Sequence, residues 1–158
     1  SAPTQEEAMI PVRLNHIALD VRDRARSIAF YRDLLGAEVV AEDVPHRITF
    51  LRLPGSSNYS DLALHEHPDR DAAYPPGVMR MAHTGFDVAH AEDLVRGFDF
   101  FTARSRVLLA ADFGIAWSVM GADPDGNVVE LELFHVGATS DQPGFAPLDV
   151  EALRRKCA

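Results

Sequence analysis

The feature that most constrains this chain is an internal repeat. Leu14-Asn15-His16-Ile17-Ala18-Leu19-Asp20-Val21 returns as Met81-Ala82-His83-Thr84-Gly85-Phe86-Asp87-Val88. Each copy is a short run with β alternation, a histidine near its start and Asp-Val at its end. The displacement that carries His16 onto His83 also carries Leu62-Ala63-Leu64 onto Val129-Glu130-Leu131. A repeat on this scale implies two copies of one supersecondary unit rather than one continuous fold.

Periodicity gives the content of the unit. Residues 12–21 alternate, with Ile17, Leu19 and Val21 on one face and His16, Ala18 and Asp20 on the other. Asp23 then caps a helix whose apolar stripe is Ile28, Tyr31, Leu34 and Leu35, and Gly36 ends it. Residues 38–42, 46–53 and 60–66 read as strands, with Pro54-Gly55-Ser56-Ser57-Asn58 as the turn before the last. The second half repeats this order: a strand at 81–88, a helix at 91–104, and strands at 105–110, 114–120 and 127–135. Asp123-Pro124-Asp125-Gly126 is a strong turn signal before the last of these.

Four strands and one helix leave a sheet face bare, so neither half is expected to stand alone. The prediction is an α+β fold of two tandem βαβββ modules forming an incomplete barrel around a shared cavity. The modules span 12–66 and 81–135 within one domain over 12–135. Residues 67–80, with Pro68, Pro75, Pro76 and Gly77, join them as a linker. Residues 1–11 form an N-terminal arm, and 136–158 a tail with a short helix near 149–156.

Strand parity then selects the chemistry. If Val129, Leu131 and Leu133 pack under the helix, Glu130 and Glu132 face the cavity. In the first module Asp61, Ala63 and His65 take that face, and His16 and His83 take it on their own strands. Two imidazoles and a carboxylate aimed into one concavity are a ligand set for a divalent first-row metal, with positions left open for substrate. His16, His83 and Glu130 are therefore the candidate metal ligands. His65, Asp61, Tyr59 and Trp117 are the candidates to line the cavity, Trp117 as a wall on which an aromatic substrate stacks.

Charge narrows the partner. A net charge of −9 disfavours nucleic acid and anionic membrane, both of which reward clustered Lys and Arg, and favours a small-molecule substrate. No apolar run approaches the roughly 18–20 residues of a membrane span. The single cysteine, Cys157, has no partner for an internal disulfide. The polar start, without a basic-then-apolar pattern, makes a cytoplasmic location the expectation.

Three stretches carry a family resemblance. They are Asn15-His16-Ile17-Ala18-Leu19, the helix segment Ser27-Ile28-Ala29-Phe30-Tyr31-Arg32-Asp33-Leu34-Leu35-Gly36, and Asp123-Pro124-Asp125-Gly126-Asn127-Val128-Val129-Glu130-Leu131. Together they resemble the vicinal oxygen chelate superfamily, which includes glyoxalase I, fosfomycin-resistance and bleomycin-resistance proteins and extradiol dioxygenases. The resemblance implies paired βαβββ modules and metal-ligand roles for His16, His83 and Glu130.

It also implies a choice among reactions. Glyoxalase-like members take a fourth ligand where Ala63 stands, and a methyl group cannot ligate; His65 is the only substitute, one pleat away. Three-ligand ring-cleaving dioxygenases resemble the chain at Asp61-Leu62-Ala63-Leu64 and Phe113-Gly114-Ile115-Ala116-Trp117-Ser118. Their acid–base histidine precedes the first of these stretches, where Tyr59 and Ser60 stand, and Phe113 and Met120 replace a further histidine and tyrosine. Fosfomycin-resistance proteins share the two histidines and the glutamate, but Leu131 to Asp141 lacks the Lys or Arg a phosphonate pocket needs. The resemblance thus implies an extradiol-type oxidoreductase holding Fe(II), or Mn, Ni or Zn, as a homodimer. A metal-free ligand-binding protein of the bleomycin-resistance type and a glyoxalase-like lyase or isomerase are the alternatives.

Overall fold

The computed structural model describes residue 10 and residues 12–134 and 144–158. The expected N-terminal arm except Ile10, the expected strand end at His135 and most of the loop after it lie outside the described residues.

The first module contains β1 (Ile17–Val21), α1 (Arg24–Leu35), β2 (Glu38–Asp43), β3 (Ile48–Arg52) and β4 (Leu62–Glu66). The second contains β5 (Thr84–Asp87), α2 (Ala91–Thr102), β6 (Val107–Asp112), β7 (Ala116–Ala122) and β8 (Val128–Phe134). A short β9 (Ala146–Pro147) and α3 (Val150–Cys157) follow. The strand, helix and three-strand order therefore occurs twice, in a mixed α+β fold with two sheets and no closed barrel. Sheet one runs β1-β4-β3-β2 and sheet two β5-β8-β7-β6-β9, with β1–β4 and β5–β8 parallel and the pairs between β2, β3 and β4 and between β6, β7 and β8 antiparallel.

Local chemistry explains the boundaries. Asp23 caps α1 by accepting from the Arg26 N–H at 3.1 Å, and Gly36 ends it with φ 69°, where a side chain is strained. β1 starts at Ile17 rather than near residue 12 because its only neighbour is β4. Upstream of Asp61, whose carbonyl accepts from the Ile17 N–H at 3.0 Å, the chain turns away and offers residues 12–16 no ladder. β9 carried no sequence signal; its two residues pair with Ala111 and Asp112 at the far edge of sheet two.

The core lies on the helix side of both sheets. Leu19, Leu51, Leu62 and Leu64 of module one and Leu94, Phe101, Val119 and Val129 of module two belong to one buried cluster. Phe30 of α1 packs edge-on to Phe100 of α2, with ring centroids 5.4 Å apart. Glycines let α2 sit close to its sheet: a Cβ on Gly97 would collide with Leu131, and one on Gly121 with the Phe101 ring. What the two modules share within one chain is thus their helix sides, while the opposite, concave faces stay apart.

The turn after β7 locks that arrangement. Asp123 is fully buried and accepts from the Tyr31 hydroxyl at 2.9 Å, the N–H groups of Asp125 and Asn127 at 2.8 and 2.9 Å, and Asn127 Nδ2 at 3.0 Å. Asp125 pairs with Arg22 at 2.7 Å and accepts from Ser27 Oγ at 3.3 Å. Burial, with the Asp123 charge and hydrogen bond, pushes the Tyr31 phenol up, so it remains a donor at any working pH. Replacing Tyr31 by Phe leaves Asp123 short of one buried donor. We expect a loss of about 1–3 kcal/mol in urea unfolding, against less than about 0.5 kcal/mol for a surface change such as Arg96→Lys.

Candidate metal centre

Register places the site on the concave face of sheet two. Glu130 of β8 lies opposite Gly85 of β5 and Met120 of β7, and Glu132 opposite Asp87 and Ser118. These residues share the face away from α2, since Gly121 and Leu131, of the other parity, touch that helix.

Glu130 is 4% exposed, and both its oxygens are engaged. Ser118 Oγ donates to Oε1 at 2.6 Å, and His83 Nε2 stands 3.1 Å from Oε2. A buried carboxylate costs several kcal/mol unless its lone pairs are met, by roughly the scale of effective ion desolvation. Here a hydroxyl, an imidazole and the open side toward Gly85 meet them. One fixed carboxylate oxygen and one imidazole nitrogen at contact distance fit two positions of a divalent-metal centre.

The surroundings are acidic. Burial raises the Glu132 carboxyl above its ordinary range, the Glu130 and Asp87 charges raise it further, and His83 offsets part of this. Arg52 supplies a cation on the concave face of sheet one, two residues along from Phe50. Its Nε is buried with no hydrogen-bond partner among the described residues.

The third expected ligand stands elsewhere. His16 precedes β1, is exposed, and its Nδ1 meets Asn15 Oδ1 at 2.8 Å. A cavity of about 180 Å³ between β1 and the edge of sheet two is lined by His83, Ala18 and Asp20 but not by His16. Among the described residues, no three His, Cys, Asp or Glu side chains gather closely enough to hold a metal. One chain therefore assembles two of the three expected ligands and not the third.

The remaining candidates divide. Ala63 is buried between Ala18 and Phe50, so the repeat mate of Glu130 offers only a methyl group. His65 shares that face, opposite Asp20 and Ile48, and is half-buried. Tyr59 is 65% exposed and packs against Phe50 at 6.3 Å between ring centroids. Asp61 ties the loop before β4 together, accepting from the Leu53 N–H, Ser56 Oγ and Asn58 Nδ2, each at 2.8 Å. Burial works to raise its carboxyl, and these hydrogen bonds outweigh it and leave it below the usual range. Trp117 has the parity of Val119 and Leu131, so it stands on the helix side, where its indole N–H donates to Asp112 Oδ2 at 3.1 Å. It packs against the core rather than on the concave wall.

Sequence reasoning missed Ser118 and Arg52. Their roles depend on register across β7–β8 and β3–β4, which no local pattern encodes. Glu66, read from sequence as part of a solvated strand end, is instead held by Arg24 at 2.9 Å and Arg47 at 3.0 Å. For Ser118, substitution by Ala frees one oxygen of a buried carboxylate. We expect metal affinity, measured by competition with a chelating dye, to fall about 10- to 100-fold, with Ser118→Thr retaining most of it.

The chain matches a family model, the Glyoxalase/Bleomycin resistance protein/Dioxygenase superfamily, over residues 13–131. A curated relative, biphenyl-2,3-diol 1,2-dioxygenase 3 of Rhodococcus globerulus, is 27% identical over 134 residues, covering 77% of this chain. The match spans 63% of that relative's length. Among solved structures, the fosfomycin resistance protein FosX of Listeria monocytogenes superposes with TM-score 0.66 at 18% identity, covering 84% of this chain and 100% of the other. A glyoxylase/bleomycin resistance protein/dioxygenase domain from Frankia sp. EAN1pec gives TM-score 0.67 at 19% identity, covering 81% and 96%. With its repeated modules and a family match over most of its length, this chain belongs to the glyoxalase/bleomycin resistance/dioxygenase superfamily, the vicinal oxygen chelate proteins.

Proposed function

We propose that the protein is a divalent-metal-dependent enzyme of the extradiol dioxygenase type, with Fe(II) as the first candidate ion and Mn, Ni and Zn as others. The observation that carries this reading is the buried Glu130 carboxylate, held by Ser118 and meeting His83 at 3.1 Å, with Ala63 as its ligand-free repeat mate. His83 and Glu130 would take two coordination positions and His16 the third. A divalent ion bound there supplies a Lewis acid with open positions for adjacent oxygens of a small molecule.

The third ligand implies a second copy. His16 does not reach the pair in its own chain, and the concave faces are not closed on one another. In a two-fold dimer, module one of each chain covers module two of the other, giving two equivalent centres. Each would combine His16 of one chain with His83 and Glu130 of the second.

The residues of this chain then have distinct tasks. Ser118 fixes the rotation of Glu130, and Arg52 offers its guanidinium to an anionic oxygen of the substrate. The Rhodococcus relative, named for a vicinal diol, supports the dioxygenase branch. A FosX structure carries Mn(II) and 1S,2S-dihydroxypropylphosphonic acid, so an oxygen-chelating ligand beside a divalent ion occurs on this fold. A second reading, ligand capture without turnover, draws on Phe113 and Met120, apolar residues where the dioxygenase pattern has a histidine and a tyrosine.

The test is metal analysis after anaerobic purification, followed by oxygen uptake over a panel of catechols. We expect metal close to one ion per chain, at least about tenfold less in Glu130→Ala, and catechol-dependent uptake in wild type alone. Equal, negligible metal in both proteins overturns the metal reading. Full metal with ligand-induced thermal stabilisation but no uptake on any catechol overturns the dioxygenase reading in favour of capture.

A further inference from the structure

Residues 10–16 form no element, yet their pattern is ordered. Ile10, Val12 and Leu14 are 82%, 84% and 80% exposed, three adjacent alternate positions carrying large aliphatic side chains. Scattered single apolar residues on a surface need no explanation, but a continuous row does. The intervening residues are tied to the chain's own body. Arg13 donates to Asn58 Oδ1 at 3.3 Å, and the Asn15 carbonyl accepts from Asn58 Nδ2 at 3.0 Å. In extended backbone, odd residues held against the body send the even ones the other way. The even row continues through His16 and Ala18 on the concave face of sheet one.

We propose that residues 10–16 are an intermolecular arm, in which Ile10, Val12 and Leu14 dock on module two of a second copy of this chain and thereby seat His16. This rests on the reading of the centre as shared between two copies. Three observations select a second copy as the occupant. The row runs directly into His16, the ligand that its own chain does not place. β1 and β5 are both edge strands with a single sheet neighbour each, so each sheet has an open border where a second chain can approach. The concave face of module two carries its own uncovered apolar side chains, Met81 in step with His83 and Phe134 in step with Glu130, each 55% exposed. Apolar rows on both sides of one metal site are complementary surfaces for burial.

The arm and the ligand are separable by mutation. The full chain carrying Ile10→Ser, Val12→Ser and Leu14→Ser is compared with His16→Ala by sedimentation equilibrium and by Mn(II) titration, with circular dichroism to follow folding. The triple variant is expected to fold as wild type but to self-associate at least about tenfold more weakly, with Mn(II) affinity falling in parallel. His16→Ala is expected to lose Mn(II) affinity and keep the wild-type dimer. A triple variant that dimerises and binds Mn(II) as wild type does overturns the arm and leaves the shared centre standing. A wild-type chain that binds Mn(II) fully as a monomer overturns the shared centre, and the arm with it.

Discussion

Asp123 is a buried carboxylate in a turn, and the relation between the two modules depends on it. Its two oxygens take four donors, three from its own turn and one, the Tyr31 hydroxyl, from the first module's helix. Hydrogen bonds to a charged group contribute about 1.5–3 kcal/mol each, and removing one leaves desolvated charge behind. Asp125, two residues on, adds the Arg22 ion pair to the same junction. Once these groups join helix side to helix side, the aromatic contact of Phe30 with Phe100 and the single shared core follow. The concave faces are left open by the same arrangement, which is why the site is incomplete within one chain.

The site illustrates what duplication followed by divergence does to chemistry. His16 and His83 keep matched positions, while Glu130 and Ala63 have parted. Glu130 is supported from two strands, by Ser118 of β7 and by His83 just before β5. Ala63 is enclosed by Phe50 and Ala18, a filled apolar position with no room for a charged group without rearrangement. The asymmetry therefore lies in the packing around each position as well as in the ligand atoms, so restoring a fourth donor at position 63 would require repacking Phe50.

Much of this fold was legible in the chain. The repeat gave the module count, strand parity placed Glu130 and Ala63 on equivalent faces, and Asp23 and Gly36 marked the ends of the first helix through their capping chemistry. The turn at Asp123-Pro124-Asp125-Gly126 was legible as a turn, but not as the clamp between modules, because Tyr31 and Arg22 lie about ninety to a hundred residues away. Trp117 was expected on the cavity wall and stands on the helix side, since its parity is set by pairing with Leu133 across β7–β8. Ser118 and Arg52 stayed hidden for the same reason. Which faces the two modules would share was also beyond the sequence, because apolar pattern defines a face to be buried without naming what buries it.

The central claim is that the metal centre is divided between two chains, and complementation tests it most directly. His16→Ala and Glu130→Ala chains, differently tagged, are mixed in equal amounts, allowed to exchange subunits, and assayed for bound metal. Each variant alone is predicted to hold almost none. The mixture is predicted to recover about a quarter of the wild-type sites, because half the dimers are mixed and each has one intact centre of its two. Mixed dimers that capture by tag but bind no more metal than either parent, while wild type binds fully, would contradict the account.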